Sequence, residues 1–181
     1  MNAIVFEEFP KMARLFREVT ITEKIDGTNG QIIISEDGQI AAASRSRLIT
    51  PEDDNYGFAK WVQQNRDELF QLGPGRHFGE WWGQGIQRNY SQPRKRFSLF
   101  NTARWSEARP ACCDVVPTLF QGTYKPSCVH DALNTLRKEG SRAAPGFMKP
   151  EGIVMWHDHA RMYFKTTLER DEVPKSVAGV K

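Results

Sequence analysis

The sequence predicts an α+β fold built mainly from antiparallel sheets. Runs of β-branched and aromatic residues, which are typical of strands, outnumber helical stretches. Most of these runs are joined by short connections that contain turn residues. Two amphipathic helices lie between groups of strands instead of alternating with single strands, which argues against a doubly wound parallel sheet. The chain has 181 residues, a length that suits one domain with a hydrophobic core of its own.

The first half of the chain is expected to form two helices and three strands. Pro10 suits the first turn of a short helix, and Asp37-Gly38 is a strong signal for a hairpin turn. Apolar residues at helical spacing predict a second helix, which Asp54 or Asn55 would cap. In order, the predicted elements are a helix over Pro10–Arg17, strands over Val19–Ile25, Gln31–Ser35 and Ile40–Arg45, and a helix over Phe58–Leu72.

The second half continues with strands around one further helix. Apolar residues from Val129 to Leu136 recur at helical spacing, and Gly140 ends this helix. A turn at 157–160 is expected to join the last two strands into a hairpin. The predicted elements are strands over Arg76–Trp82 and Phe97–Ala103, a helix over Val129–Lys138, and strands over Glu151–Trp156 and Arg161–Thr167.

Composition and charge exclude several classes of protein. No apolar run approaches the ~18 residues that a membrane-spanning helix needs, and the N-terminus lacks the basic-then-apolar layout of a secretory signal. Three cysteines without a Cys-x-x-Cys spacing predict free thiols in a reducing cytoplasm. The net charge of +3 is too small to indicate a nucleic-acid partner, so the distribution of charge has to decide.

A candidate catalytic turn follows the first predicted strand, in Glu23-Lys24-Ile25-Asp26-Gly27-Thr28-Asn29-Gly30. The strand end fixes the backbone of Lys24, and lysine becomes a nucleophile where desolvation or neighbouring cations favour its neutral form. The glycines would let backbone N–H groups approach a phosphate. Taken alone, the same residues also describe an ordinary hairpin turn with a solvated lysine.

Two short segments add candidate binding residues. Strand alternation would put Arg45 and Arg47 on one face, where guanidinium groups suit phosphate, although charge also protects an exposed edge strand. Glu80 lies in the aromatic, glycine-flanked segment Phe78–Gly83. A carboxylate in such a strand accepts hydrogen bonds from ribose hydroxyls or binds a metal. The alternative is an exposed glutamate beside core tryptophans.

Cationic and aromatic residues are interleaved between Gly75 and Arg109, the combination that nucleic acid requires. The strand aromatics of this segment are expected to belong to the core. The loop cations are expected to contact phosphate, with a solvated loop as the alternative. These cations are Arg88, Arg94, Lys95 and Arg96.

The last predicted hairpin carries a carboxylate, Glu151, and a lysine, Lys165. A three-residue loop centred on Asp158 would place the two residues directly opposite each other on one face. A loop of two or four residues would pair Lys165 with Gly152 and turn it away from Glu151. If both residues serve one site, an odd loop length is expected. Otherwise the pair is a surface salt bridge worth under ~1 kcal/mol.

The order of these segments resembles that of the covalent nucleotidyltransferases, the superfamily of ATP-dependent DNA ligases, RNA ligases and mRNA capping enzymes. The shared series runs from about Thr22 to Thr167. It comprises Lys-x-Asp-Gly, Ser-Arg, an aromatic Gly-Glu, a Phe-rich strand, Glu-Gly-Ile-Val and a lysine-bearing strand. The stretch from Thr22 to Asn29 is most similar to the RNA ligase 2 branch.

The resemblance implies an α+β, antiparallel-sheet, ATP-grasp-like nucleotidyltransferase domain that acts as an ATP-dependent RNA ligase. In the implied reaction, Lys24 attacks the α-phosphorus of ATP and forms lysyl-AMP. The AMP then passes to a 5′-phosphate, and a 3′-hydroxyl displaces it. ATP and Mg²⁺ or Mn²⁺ would be the cofactors, and the ends or nicks of RNA, or of DNA, would be the partners.

The resemblance also implies roles for individual residues. The catalytic residues would be Lys24, Glu151, which would bind the metal or order the lysine, and Lys165, which would neutralise the α-phosphate. The nucleotide would be held by Glu23 at adenine, Arg45 at ribose or the attacking end, Glu80 at the ribose hydroxyls, Phe100 stacked on adenine, and the turn residues Asp26, Gly27 and Asn29. Nucleic acid would contact Arg47, Arg88, Arg94, Lys95 and Arg96.

Three features depart from the family pattern. The last strand reads Lys165-Thr166-Thr167 where the family carries Lys-x-Lys, and the stacking strand reads Phe-Asn where ligases commonly read Phe-Asp. Little chain follows Thr167, so residues 1–181 are expected to form a single minimal domain without a separate C-terminal domain. The alternatives are a DNA or mixed nick-sealing ligase, a guanylyl-transferring capping enzyme, and a non-catalytic nucleic-acid-binding module with a degenerate fold, which the missing lysine would favour.

Overall fold

The computed structural model of the protein describes residues 4–169 and 171, and these residues form a mixed helix-and-sheet architecture, as the sequence predicts. The strands are β1 Glu18–Lys24, β2 Thr28–Ile34, β3 Ile40–Ala43, β4 Leu48–Ile49, β5 Gly75–Gly83, β6 Lys95–Leu99, β7 Cys113–Val115, β8 Thr118–Thr123, β9 Gly152–His157 and β10 Met162–Thr167. The α-helices are α1 Phe58–Gln64, α2 Arg66–Leu69 and α3 Pro126–Glu139, and a 3₁₀ turn covers Phe70–Leu72.

The strands form two sheets. The four-stranded sheet has the order β10-β9-β1-β8, and the six-stranded sheet has the order β4-β3-β2-β5-β6-β7. Neighbouring strands are antiparallel in both sheets, apart from the parallel pair β6 and β7. Because β1 and β2 belong to different sheets, the short segment after Lys24 carries the chain from one sheet to the other.

Each sheet buries one face under a helix, because side chains alternate between the two faces of a strand. Phe58 of α1 packs against Ile32 and Trp81 of the six-stranded sheet, and Leu136 of α3 packs against Ile21 of the four-stranded sheet. A third cluster, which includes Ile25, Trp82 and Tyr90, fills the space beside the connection between the sheets. The face of the six-stranded sheet opposite α1 is therefore covered in part by this third cluster.

Two helix predictions need correction. The helix expected over Pro10–Arg17 is wrong: these residues have no regular secondary structure, and Phe9 and Met12 are exposed, so their apolar side chains have no surface against which a helix could be stabilised. The helix expected over Phe58–Leu72 breaks at Asn65, whose φ of −108° lies outside the helical range. The side-chain amide of Asn65 donates to the Trp61 carbonyl at 2.8 Å, beside the backbone N–H of the same residue at 3.1 Å.

Other boundaries follow the prediction more closely. The N-cap position of α1 is occupied by Gly57 and not by the predicted Asp54 or Asn55. Asp54 still serves the first turn, because its carboxylate accepts hydrogen bonds from the N–H groups of Ala59 and Lys60 at 2.8 and 3.0 Å. Strands β4, β7 and β8 were not predicted. Within residues 4–169 and 171, no helix is both long enough and apolar enough to cross a membrane.

Candidate active site

Lys24 is the last residue of β1, at the point where the chain leaves the four-stranded sheet. Its side chain lies on the face opposite α3, because Ile21 and Glu23 occupy the buried face. The Nζ atom of Lys24 is 2.6 Å from Oε2 of Glu151, which directly precedes β9. The lysine side chain is 19% exposed and that of Glu151 is 1% exposed. A buried carboxylate therefore holds the amine at a position that a ligand can reach.

Glu80 brings a second carboxylate to this point from β5 of the six-stranded sheet. It accepts hydrogen bonds from the Gly27 N–H at 3.0 Å and from the Asn29 side-chain amide at 3.1 Å. Burial raises the pKa of Glu80 to about 7, the positive charge of Lys24 and the Gly27 N–H oppose the rise, and the charge of Glu151 adds to it. Lys24, Glu80 and Glu151 thus form one electrostatic cluster between the two sheets.

The sequence suggested that backbone N–H groups of this turn would approach a phosphate. The N–H group of Gly27 donates its hydrogen bond to the Glu80 carboxylate and is therefore not free to bind one. A Cβ atom at this position would collide with the carbonyl of Trp81 and with Cβ of Trp82. Glycine is therefore needed at position 27 for the turn to lie directly against β5.

The connection between β5 and β6 holds the turn from the other side. Arg88 donates from Nε to Oδ2 of Asp26 at 3.0 Å, and the backbone N–H of Asp26 donates to the Tyr90 hydroxyl at 2.8 Å. Arg88 also donates to the carbonyl of Lys149 at 3.3 Å, two residues before Glu151. Arg88 thus joins the segment after Lys24 to the segment before Glu151. The sequence had suggested a loop cation free to contact phosphate, and this guanidinium is bound by the protein.

Glu23 lies next to Lys24 in the sequence but on the opposite face of β1. Its buried carboxylate accepts hydrogen bonds from the Ser141 hydroxyl at 2.6 Å and from the N–H groups of Arg142 and Ala143 at 2.8 and 2.9 Å. Burial raises the pKa of Glu23, and these hydrogen bonds oppose the rise. The side chain anchors the segment after α3, so its predicted contact with adenine stays a prediction.

The hairpin of β9 and β10 does not have the expected odd-length loop. A four-residue loop, Asp158–Arg161, joins the strands, and Lys165 pairs with Val154, so the predicted direct pairing of Lys165 with Glu151 is wrong. His157, the last residue of β9, pairs with Val19 of β1 and with Met162 of β10, so the loop begins only at Asp158. The His157 ring also binds the carbonyl of Leu15 at 2.8 Å.

The observed register still places Lys165 on the same face of the sheet as Lys24. Gly152 pairs with Lys24 on one side and with Thr167 on the other. Since alternate residues share a face, Lys165 lies on the same face as Lys24 and Thr167. A Cβ atom at Gly152 would collide with the backbone oxygen of Thr166, so glycine permits this close approach of β10.

Phe100 and Arg45 both lie just outside strands of the six-stranded sheet: Phe100 directly follows β6, and Arg45 is in the turn between β3 and β4. Phe100 is half-buried beside the cluster that contains Trp82, and its backbone N–H donates to the carbonyl of Phe78 at 2.9 Å. Arg45 is exposed in a turn closed by the Ser44 N–H and the Arg47 carbonyl at 2.8 Å. The predicted strand alternation of Arg45 and Arg47 is therefore wrong, since β3 ends at Ala43.

Arg96 has a structural role that the sequence did not indicate. Its guanidinium donates two hydrogen bonds of 2.8 Å to Asp114 and lies 5.1 Å from the ring centroid of Trp82. The hydrogen bonds to Asp114 raise the pKa of Arg96. The guanidinium is thus bound to a protein carboxylate, and its predicted contact with nucleic acid stays a prediction.

The other cations predicted to contact nucleic acid differ in whether a protein group already binds them. Lys95 donates to the carbonyl of Tyr56 at 2.7 Å, and Arg47 forms a partly exposed ion pair of 2.5 Å with Asp53. Arg94 is exposed and forms no ion pair or side-chain hydrogen bond with any residue that the structure describes. Of these three cations, Arg94 is the one most available to a phosphate.

A divalent cation fits the donor atoms of this site only together with a ligand. No group of three or more His, Cys, Asp or Glu side chains within the described residues is placed to hold a metal by itself. Mg²⁺ prefers oxygen donors and is commonly held by one or two carboxylates together with substrate phosphates. Glu151, next to Lys24, supplies such a carboxylate.

Phe78 is a site-face residue that the sequence analysis missed. It was expected to be in the core, but its side chain is 53% exposed. Phe78 is two residues from Glu80 in β5, so both side chains project from the same face. Alternation along β5 puts Phe78 on the face opposite Trp81, but it does not show exposure, since Trp82 shares the face of Phe78 and is fully buried.

Comparisons with known proteins identify similar sequences and similar folds. The model of the RNA ligase family matches residues 17–172. A Naegleria gruberi RNA ligase variant with ATP and Mn superposes with a TM-score of 0.60 at 16% identity, covering 86% of this chain and 51% of that one. Another variant, with AMP and Mn, gives a TM-score of 0.56 at 16% identity, with coverages of 84% and 50%.

An archaeal ATP-dependent RNA ligase gives a TM-score of 0.59 at 19% identity, covering 90% of this chain and 48% of that one. The chain therefore spans about half the length of these solved structures. At these identities the likeness shows the shared fold. No curated protein sequence matches the chain.

Proposed function

The chain belongs to the RNA ligase family, and from this premise we propose that it is an ATP-dependent RNA ligase that works through a lysyl-AMP intermediate. The observation that carries the proposal is the amine of Lys24, which is held 2.6 Å from Glu151 and is electrostatically coupled to Glu80. The nucleotide and Mn in the names of the matched Naegleria structures support ATP and a divalent cation as cofactors.

In the first step, the amine of Lys24 attacks the α-phosphorus of ATP. A bond forms between Nζ and phosphorus, and the bond from phosphorus to the pyrophosphate oxygen breaks. The amine must lose a proton before it attacks, and Glu151 at 2.6 Å is placed to orient the amine and to accept that proton. Lys165, on the same face of the sheet, supplies positive charge for the phosphate oxygens.

The nucleoside would lie against the six-stranded sheet. Glu80 accepts two hydrogen bonds from the protein, and an ionised carboxylate has about four lone-pair positions, so it can also accept bonds from ribose hydroxyls. Phe100 is only half-buried and keeps part of its ring for stacking on adenine. Glu23 fits the adenine less well, because its carboxylate already accepts three hydrogen bonds.

Glu151 would hold the divalent cation together with the phosphates of the nucleotide, and the cation would supply Lewis-acid stabilisation of the phosphate charge. After adenylation, the AMP would pass to a 5′-phosphate end of RNA. The 3′-hydroxyl of a second end would then form the phosphodiester bond and release AMP.

Three finer statements belong to the same proposal. Residues 1–181 would form a single nucleotidyltransferase domain, with the two sheets enclosing ATP in an ATP-grasp-like manner. RNA would be preferred over DNA as the strand that is sealed. The protein would act in the cytoplasm, which its three free cysteines fit.

The test is labelling with α-phosphorus-labelled ATP and Mg²⁺, followed by denaturing electrophoresis. The parent protein should retain the label, whereas Lys24→Ala and Lys24→Arg should not, because neither provides an amine that can form the phosphoramidate. Lys60→Ala, which removes an exposed lysine of α1, serves as the matched control and should label normally. Label that persists in both Lys24 variants would refute the assignment, and sealing assays on RNA and DNA nicks decide the strand preference.

A further inference from the structure

The six-stranded sheet carries two exposed apolar side chains, Phe78 and Leu48, on the face that also carries Glu80, with the half-buried Gln31 and the buried Ala43 between them. Phe78 is 53% exposed and pairs with Gln31 of β2. Gln31 in turn pairs with Ala43, and Ala43 pairs with Leu48, which is 64% exposed. Paired residues project from the same face of a sheet, so these side chains form one row across four strands.

This row lies beside Glu80. Phe78 and Glu80 are two residues apart in β5, which corresponds to about 7 Å along a strand. The row is therefore adjacent to the proposed ribose site and on the same face of the sheet. A nucleotide neighbouring the bound one would reach Phe78 without leaving this face.

Two unpaired cations flank the row. Arg76 precedes Phe78 by two residues, so it shares the same face, and Arg45 is exposed in the turn that joins β3 to β4. Within residues 4–169 and 171, neither guanidinium forms an ion pair or a hydrogen bond. The nearby acid Asp53 is already paired with Arg47. The positive charge of Arg45 and Arg76 is thus available to an external anion.

We propose that Phe78, Leu48, Arg45 and Arg76, here named the Phe78 platform, bind the RNA strand beside the reacting end. One base stacks on Phe78, and a second base farther along the strand contacts Leu48, which is three strand spacings or about 14 Å away. Arg45 and Arg76 bind the flanking phosphates. Single-stranded nucleic acid is recognised by this combination, because every base has a stacking face and guanidinium suits phosphate. The assignment rests on the proposed function, and it adds a substrate-binding surface to it.

The test separates RNA binding from the reaction with ATP. Phe78→Ala, Phe78→Trp and the parent are compared for labelling by ATP without RNA, and for binding of fluorescent single-stranded RNA by anisotropy. Phe78→Ala is expected to weaken RNA binding about tenfold more than it slows labelling, and Phe78→Trp is expected to restore binding. Phe164→Ala removes a 46% exposed aromatic from β10 in the other sheet and is the matched control.

Arg76→Ala provides a second readout. It should reduce the slope of log affinity against log salt by about one, because one phosphate contact is lost. The proposed Phe78 platform would be overturned if Phe78→Ala bound RNA as tightly as the control Phe164→Ala does. It would also be overturned if Phe78→Ala lost as much labelling by ATP as RNA binding. A parent that binds RNA through Phe78 but never labels would support the platform and would overturn the ligase proposal instead.

Discussion

Replacing Glu80 by glutamine should make the protein more stable at alkaline pH while weakening nucleotide binding. The carboxyl is 8% exposed, and burial raises its pKa from an ordinary value of 4.5 to about 7. The native state therefore binds this proton more tightly than the unfolded state does. The contribution to stability is complete below about pH 4.5 and is lost as the pH rises through about 7.

The magnitude follows from the difference between the two pKa values. A rise from 4.5 to about 7 corresponds to about 3 kcal/mol, at roughly 1.4 kcal/mol for each pKa unit. Glutamine has no charge to bury, and its carbonyl oxygen can still accept the Gly27 N–H. The Asn29 amide loses its acceptor, which subtracts about 1 kcal/mol. The net gain expected for Glu80→Gln is about 2 kcal/mol at pH 8.5, and near zero or slightly negative at pH 4.5.

The assay is urea denaturation followed by tryptophan fluorescence, at pH values from 4.5 to 8.5, for the parent, Glu80→Gln and the control Glu52→Gln. Glu52 is exposed in the loop after β4, so its replacement should leave the pH dependence unchanged. Nucleotide affinity, measured on the same preparations, should fall only for Glu80→Gln. If Glu80→Gln were less stable than the parent at pH 8.5, the burial argument for Glu80 would be refuted.

Two further substitutions test the packing that positions the site. Gly152→Ala should lower both the free energy of unfolding and the rate of labelling by ATP, because the added Cβ would meet the Thr166 carbonyl; normal thermal denaturation of this variant would contradict the close approach of β10. Arg96→Ala should destabilise the protein by about 2 kcal/mol, since Asp114 loses two charge-assisted hydrogen bonds of a partly exposed pair, and should leave the salt dependence of RNA binding unchanged. A smaller salt slope would show that Arg96 contacts the nucleic acid.

Local sequence patterns predicted the parts of the fold that depend on local chemistry. Alternation of apolar residues located β1, β2 and β5, and the turn residues located the hairpins. The strand β8 was missed because its burial alternates only weakly along Thr118–Thr123, at the edge of its sheet. The order of Lys24, Glu80 and Glu151 along the chain was sufficient to predict one site, since the family resemblance already orders them.

Contacts between distant residues could not be predicted in this way. The ion pair of Arg96 with Asp114 and the hydrogen bond of Glu23 with Ser141 join residues that are 18 and 118 positions apart. Nothing in the local pattern around Arg96 or Glu23 distinguishes a residue bound by the protein from one that awaits a ligand. The loop of the last hairpin likewise begins only after His157, a residue that pairs with Val19 of the distant strand β1.

The charges around Lys24 explain why Glu80 combines a binding role with a cost in stability. Asp26, Glu80 and Glu151 face two cations, Lys24 and Arg88, so the group is net negative when every carboxyl is ionised. In the absence of ligand, protonation of Glu80 removes this excess negative charge. The protonated carboxyl, however, is not the ionised form to which ribose hydroxyls would donate hydrogen bonds. A buried carboxylate of this kind stabilises the bound state more than the empty one, and sites that serve binding commonly lower the stability of the fold. The stability gained in Glu80→Gln and the affinity lost in the same variant are therefore two measurements of one electrostatic arrangement.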